Sequence, residues 1–196
     1  MKLFNKWSCD ISIEDPGLKR YISLEPKIAL RNRGRHASHQ FYKSKINIVE
    51  RLINHLYVPG HRGKKHYTTS RQCTGKFITC YNIVKNAFNI IEQKMHKNPV
   101  EIFVRAIENA ALREEITSFQ VGGIIVRRAV VSSPQRRIDL ALRLIVQGAY
   151  KKAFNNSKDM ASALADEIIA TYNYDASASN VIREKERIEH EAAGAR

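Results

Sequence analysis

The sequence predicts a mainly α fold of five to six helices, with one protruding β-hairpin and an N-terminal extension. Three observations predict it. Apolar residues recur on a helical period over most of residues 47–172, and the period shortens to about two only around Gly122-Gly123. Two pairs, Asn98-Pro99 and Ser133-Pro134, punctuate the helical runs as starts, because proline tolerates a first turn and not a helix interior. A chain of 196 residues, 43% hydrophobic and 27% charged, supports one well-buried core but not two full domains.

Residues 1–45 show little sustained periodicity, and "LRNRGRHASHQFYKSK" (30–45) is dense in basic and small polar residues. This part is expected to be an extension, partly ordered only on RNA, with the helical domain covering 46–196. Asn47 caps a first helix whose Val49, Leu52, Ile53 and Leu56 share one face, and which stops before Pro59-Gly60. The long loop "GHRGKKHYTTSRQCTGKF" (60–77) follows. Ile83, Val84, Ala87, Phe88 and Ile91 then mark a second amphipathic helix. "NPVE" (98–101) starts a third, with Asn98 as cap, Pro99 in the first turn and Glu101 reaching back. Val100, Phe103, Val104, Ile107 and Ala111 supply its core face.

Thr117, Phe119 and Val121 next alternate with polar neighbours, and Ile124 and Val126 follow the glycine pair. This predicts a hairpin at about 115–132, since glycines accept the positive φ of a tight turn. Ser133-Pro134 opens a fourth helix lined by Ile138, Ala141, Leu142, Ile145 and Ala149. A fifth runs from about Asp159 to Tyr172, with Leu164, Ile168 and Ile169 inward. The charged tail from Ser177, with Arg187 one turn from Glu191, is expected as a solvated helix. No segment repeats at a fixed period, which excludes a solenoid.

Charge is the most informative bulk property. Thirty-three Lys and Arg against nineteen Asp and Glu leave +14, with a pI near 9.9. The excess is uneven. Residues 27–97 hold fifteen cations against only Glu50 and Glu92, and residues 116–158 hold eight against only Asp139. Residues 1–26 are neutral and 159–196 are acidic. Two basic blocks between neutral or acidic segments suggest one face turned to a polyanion. The candidate phosphate contacts are Arg33, Arg35, Lys43, Lys45, Arg62, Lys64, Lys65, Arg127, Arg128, Arg136, Arg137, Lys151 and Lys152. Arginine's planar fork suits phosphate oxygens, and glycine beside Lys64-Lys65 lets the backbone follow an RNA strand closely.

Catalytic chemistry is not visible. The chain has no P-loop, nucleophile elbow, dinucleotide glycine fingerprint or HExxH. Asp166-Glu167 are adjacent on a helix and point about a third of a turn apart, which suits surface charge or a helix contact better than acid–base work. Cys73 and Cys80 with His61 and His66 fit no standard zinc spacing, so no metal or cofactor is expected. Three sparse cysteines suggest free thiols in a reducing compartment. No apolar run reaches membrane length, and "MKLFNKWSCDISIED" lacks the apolar core of a signal peptide. A freestanding groove-binding regulator remains as an alternative, but it would concentrate its charge on one recognition helix, whereas here the charge lies in loops, hairpin and helix starts.

Several short stretches, in order, carry a resemblance. They are "KLFNKWS" (2–8), "IVERL" (48–52), "GKK" (63–65), "VKNAFNII" (84–91), "NPVE" (98–101), "LREE" (112–115), "VGG" (121–123), "VRRAV" (126–130) and "SPQRRIDLAL" (133–142). "GAYKKAFNN" (148–156), "LADEII" (164–169) and "VIREKERIE" (181–189) complete the order. Together they resemble the universal small-subunit ribosomal protein seven family, in its eukaryotic form, over essentially the whole chain. The resemblance implies a non-enzymatic helical domain bound to ribosomal RNA in the small-subunit head, active in translation and subunit assembly. It implies a hairpin tip, Val121, Gly122 and Gly123, near exit-site transfer RNA and the messenger path, beside a platform protein. A cytoplasmic ribosomal location follows, with nuclear or nucleolar passage during assembly and no membrane. Against the family pattern, Gln120 replaces a usual arginine, the strand before Pro134 is one residue shorter, and a segment at 66–77 is inserted. His39, Gln40 and Tyr42 also replace typical basic residues.

Overall fold

Six helices and two antiparallel hairpins form among the described residues. The computed structural model describes residues 2–27, 29–62, 65–66 and 75–196, with backbone alone at 61–62 and 65–66. Lys64 and the side chains of Arg62 and Lys65 therefore lie outside the described residues, as does most of the inserted segment with Cys73.

Local sequence explains most boundaries. The Asn47 side chain accepts from Val49 N–H at 2.9 Å and opens α1 (Ile48–His55). A short pair, β1 (His61–Arg62) and β2 (Lys65–His66), follows within the region expected as loop. Helix α2 (Phe77–Met95) buries Ile83, Val84, Ala87, Phe88 and Ile91. Asn98 caps α3 (Pro99–Ala110) by accepting from Val100 N–H at 3.1 Å. Glu101 stays exposed, and its amide rather than its carboxylate makes the local contact, to Asn98 O.

Strands β3 (Glu114–Val121) and β4 (Ile124–Val131) pair in an unbroken register from Glu114–Val131 to Val121–Ile124. Gly122 and Gly123 make the two-residue turn with φ of 54° and 87°, both in the region that L side chains avoid. Both strands have eight residues, and the pairing runs without a slip. Pro134 then starts α4 (Pro134–Ala153), Asp159 caps α5 (Met160–Tyr172), and Ser179 caps α6 (Asn180–Ala193) through Val181 and Ile182.

Helix α5 is the centre, packing against α2, α3, α4 and α6. Its Ala161, Ala163 and Ala165 are buried, which lets the neighbouring helices approach closely around Leu164 and Ile168. The N-terminal segment departs from the expected extension. Leu3, Trp7, Leu18, Ile22 and Leu30 are core residues, and Trp7 meets Phe88 edge-on with ring centroids 5.7 Å apart. The chain is stitched in by backbone as well, since Ile48 N–H donates to Ser23 O at 2.9 Å and Asn47 Nδ2 to Glu25 O at 2.8 Å. Periodicity missed this because the apolar residues sit in turns that follow the surface of the helices, with no repeat of their own. The tail helix α6 also differs from a solvated one. It buries Val181, Ile182, Lys185 and Ala192 and leans on α4 and β3.

One glycine is dictated by a buried charge. A Cβ at Gly148 of α4 would stand 2.8 Å from Glu167 Oε1 and 2.9 Å from its Cδ. Gly148→Ala is expected to destabilise the protein by about 1–3 kcal/mol through overpacking, measured by urea unfolding.

Candidate nucleic-acid interface

The β3–β4 hairpin presents its side chains to solvent along most of both strands. Alternation assigns Arg127, paired with Ser118, to one face and Arg128, paired with Thr117, to the other. Both arginines are exposed, and no carboxylate among the described residues pairs with either. Toward the tip, Val121, Ile124, Phe119 and Val126 share a face with Arg128, and Ile124 and Ile125 are each 70% exposed. Exposed apolar residues gathered on one projecting ribbon have the character of an interaction surface.

The hairpin is held firmly at its base. Arg136, in the first turn of α4, grips Glu115 through Nε at 2.5 Å and Nη2 at 2.7 Å, and Ser132 Oγ donates to the same carboxylate at 2.9 Å. These bonds, the one from Arg136 foremost, hold the Glu115 carboxyl below its usual range. From the far end of the chain, Arg196 pairs with Glu114 at 2.5 Å and Ala195 O accepts from Ala129 N–H at 3.4 Å. A cleft bordered by Val131 and Ser132 at the end of the hairpin has Arg105, Arg113, Arg137 and Lys185 on its walls. Its cations are largely answered from within, since Arg105 meets Glu14 at 2.6 Å and Glu108 at 3.0 Å, and Lys185 donates to Asn109 O at 2.7 Å. The cleft is structural.

Four expected phosphate contacts are used inside the fold, the first being Arg136 on Glu115. Arg137 binds Asp15 at 2.9 Å and Leu112 O at 3.0 Å, with only 16% of its side chain exposed. Lys152 lies 2.5 Å from Oε2 of Glu167, whose side chain is fully buried, and donates to Ala178 O at 2.7 Å. Lys43 pairs with Asp139, which also takes Arg51 Nη2 at 2.8 Å. Arg51 is buried and sequence reasoning missed it. The available signal was Asp139 itself, a lone acid in a basic block. Glu50 behaves the same way, buried and accepting from Asn32 N–H at 2.5 Å. These pairings use cations as well as acids, so the free positive charge rests on fewer residues than the sequence count suggests. Arg33, Arg35, Lys45, Arg127, Arg128 and Lys151 remain exposed and without a carboxylate partner among the described residues.

The Lys43–Asp139–Arg51 cluster sets a pH response. Burial pushes the Asp139 carboxyl up, but bonds from Lys43 and Arg51 outweigh it and hold the group below its ordinary value. Beside it, burial pushes the His55 imidazole down to about 4. The unfolded chain, with an ordinary imidazole near 6.5, then binds more protons than the folded one between those values. Stability present above about pH 6.5 is expected to fall by up to about 3 kcal/mol as pH drops to 4, and His55→Asn should flatten that part of the profile. Unfolding titrations at several pH values would check this.

No group of His, Cys, Asp and Glu among the described residues could hold a metal ion. Cys80 is buried in α2, where burial pushes its thiol up to about 11. No helix among the described residues is long and apolar enough to cross a membrane.

Comparison with known proteins decides the family. Residues 19–196 match the family described as ribosomal protein S7p/S5e. The chain belongs to this family. Members of the S7p/S5e family are structural ribosomal proteins, and the chain is accordingly not an enzyme. It is similar to the small ribosomal subunit protein uS7 of Nanoarchaeum equitans, 46% identical over 100% of this chain and 99% of that one. It is equally similar to that of Archaeoglobus fulgidus, 46% identical over 99% and 94%. The protein of the same name in Methanothrix thermoacetophila is 44% identical over the full length of both. The three organisms are archaea, so the S7p/S5e likeness traced above to a eukaryotic form extends over the whole chain to archaeal members.

Proposed function

We propose that the protein is a structural constituent of the small ribosomal subunit that binds and organises small-subunit ribosomal RNA in the subunit head. The observation that carries the reading is a pair of exposed arginines, without a carboxylate partner among the described residues, on a projecting hairpin anchored at its base, in a chain that matches S7p/S5e over nearly its whole length. Arg33, Arg35, Lys45, Arg127, Arg128 and Lys151 are the contacts to phosphate, with Arg62, Lys64 and Lys65 adding to them from the segment after α1. Arg136, Arg137, Lys43 and Lys152 act through the fold, holding those contacts in place. The tip, Val121 to Gly123, lies near exit-site transfer RNA and the messenger path, and its apolar face meets a neighbouring platform protein.

Residues 1–30 join the helical body in this reading, and only 31–45 form a segment that RNA completes. The archaeal relatives give nucleolar passage no support, so the location proposed is the cytoplasmic ribosome alone. Sedimentation tests the assignment. Nearly all of the protein is expected with small subunits in moderate salt, and a mostly free protein, or one in another particle, would overturn it.

A further inference from the structure

The segment 33–45 offers a surface that phosphate contacts do not use. Phe41 is 59% exposed, and its backbone lies at φ 63°, where a bulky side chain is uncommon. A local hydrogen-bonded turn fixes it there. Tyr42 N–H donates to His39 O at 3.4 Å, Ser44 N–H to Phe41 O at 3.1 Å, and the Ser44 hydroxyl to the same oxygen at 2.6 Å. The neighbouring Tyr42 ring is 42% exposed and lies 4.8 Å from the His39 ring, with the Lys45 ammonium 4.5 Å from its centroid. Lys43, reaching Asp139 of α4, ties this turn to the body.

Charge chooses the class of partner. No acid occurs between Glu25 and Glu50, and Glu50 is buried. Arg33 and Arg35 are exposed and unpaired among the described residues. A rim of this kind attracts a polyanion, and the flat apolar part of a polyanion is a nucleobase. In a duplex the base faces are hidden by their own stacking, whereas in loops and single strands they are open to aromatic rings. We infer that Phe41, with the His39–Tyr42 pair beside it, is a stacking platform for unpaired bases of an RNA strand whose phosphates run along Arg33, Arg35 and Lys45. The inference rests on the RNA-binding reading above and adds that single-stranded bases, not duplex, are what this surface takes.

The test uses the full chain and two short probes with equal numbers of phosphates, an oligoadenylate and the same strand without bases. The wild type is expected to prefer the oligoadenylate by about 5- to 150-fold per stacked base. Phe41→Ala should erase the preference while leaving the salt dependence of binding unchanged. Phe41→Trp should retain it, with fluorescence quenched on binding; the only native tryptophan, Trp7, is buried, so the signal reports position 41. Equal wild-type binding of both probes, a Phe41→Ala protein that keeps the preference, or an unquenched Phe41→Trp would overturn the platform, the last pointing to a protein neighbour instead. A wild type that shows no preference but binds both probes in a salt-sensitive way sinks only the platform. Absence of salt-sensitive binding to either probe sinks the RNA reading with it.

Discussion

Glu167→Ala is expected to destabilise the protein by about 3–5 kcal/mol, because breaking one side of a buried ion pair strands the other. The carboxylate does three things at once. It faces Lys152 at 2.5 Å, accepts from Ser179 Oγ at 3.1 Å and accepts from Val181 N–H at 3.1 Å, so it joins α4 and α5 to the start of α6. Thr171 Oγ1, 3.0 Å from Ser179 Oγ, completes the junction. Without Glu167 the half-buried Lys152 loses its buried carboxylate partner while still donating to Ala178 O, and α6 loses an anion at its N-terminal end. The damage should travel along α6, since Glu189 holds Arg113 N–H at 2.9 Å and the C-terminal residues pin the hairpin base. Hydrogen exchange should therefore accelerate in α6 and at the base of β3–β4 before α2 and α3 respond. Lys152→Met should cost a comparable amount. The double replacement Lys152→Met with Glu167→Met should cost clearly less than the sum of the singles, as measured by denaturant unfolding.

The double substitution Arg127→Glu with Arg128→Glu should act on RNA instead. Both side chains are exposed and have no carboxylate partner among the described residues, so stability should stay within about 0.5 kcal/mol of the wild type. Affinity for small-subunit ribosomal RNA is expected to fall on the order of 10- to 100-fold at moderate salt, because two phosphate contacts are lost and two repulsions gained. Arg137→Glu gives the opposite signature. It would put a second carboxylate against Asp15 and remove the donor to Leu112 O, so unfolding comes first and RNA binding fails through the fold. Filter binding and urea unfolding on the same three proteins separate the cases. A double mutant that binds RNA normally would contradict the role given to the hairpin.

How far the sequence discloses this structure depends on whether a feature is periodic. The helices from Asn47, Asn98 and Ser133-Pro134, and the glycine-turned hairpin, all begin on local signals and form where those signals stand. The family resemblance was legible for a similar reason, being carried by short ordered matches that do not need three dimensions. The packing of Leu3 and Trp7 under α2 was not legible, because turn residues that fill a groove have no repeat to detect. Nor could the sequence sort its own cations. Lys151 and Lys152 are adjacent and chemically identical, yet one faces solvent and the other Glu167, a difference set by helix phase against a neighbour that lies distant in sequence. Arg136 and Arg137 divide in the same way between Glu115 and Asp15. Phe41 escaped notice because a basic stretch is read by its charge, and the ring's exposure depends on a positive φ that no residue type announces.

The most direct measurement of the central claim is the slope of log affinity against log salt for the intact protein and small-subunit ribosomal RNA. The account predicts a steep negative slope that loses close to one unit for each of Arg33, Arg35, Arg127 and Arg128 replaced by alanine, and nothing for Arg187, whose charge is held by Glu184 and Glu191. A shallow slope, or one that shifts as much for Arg187 as for the hairpin arginines, would contradict it.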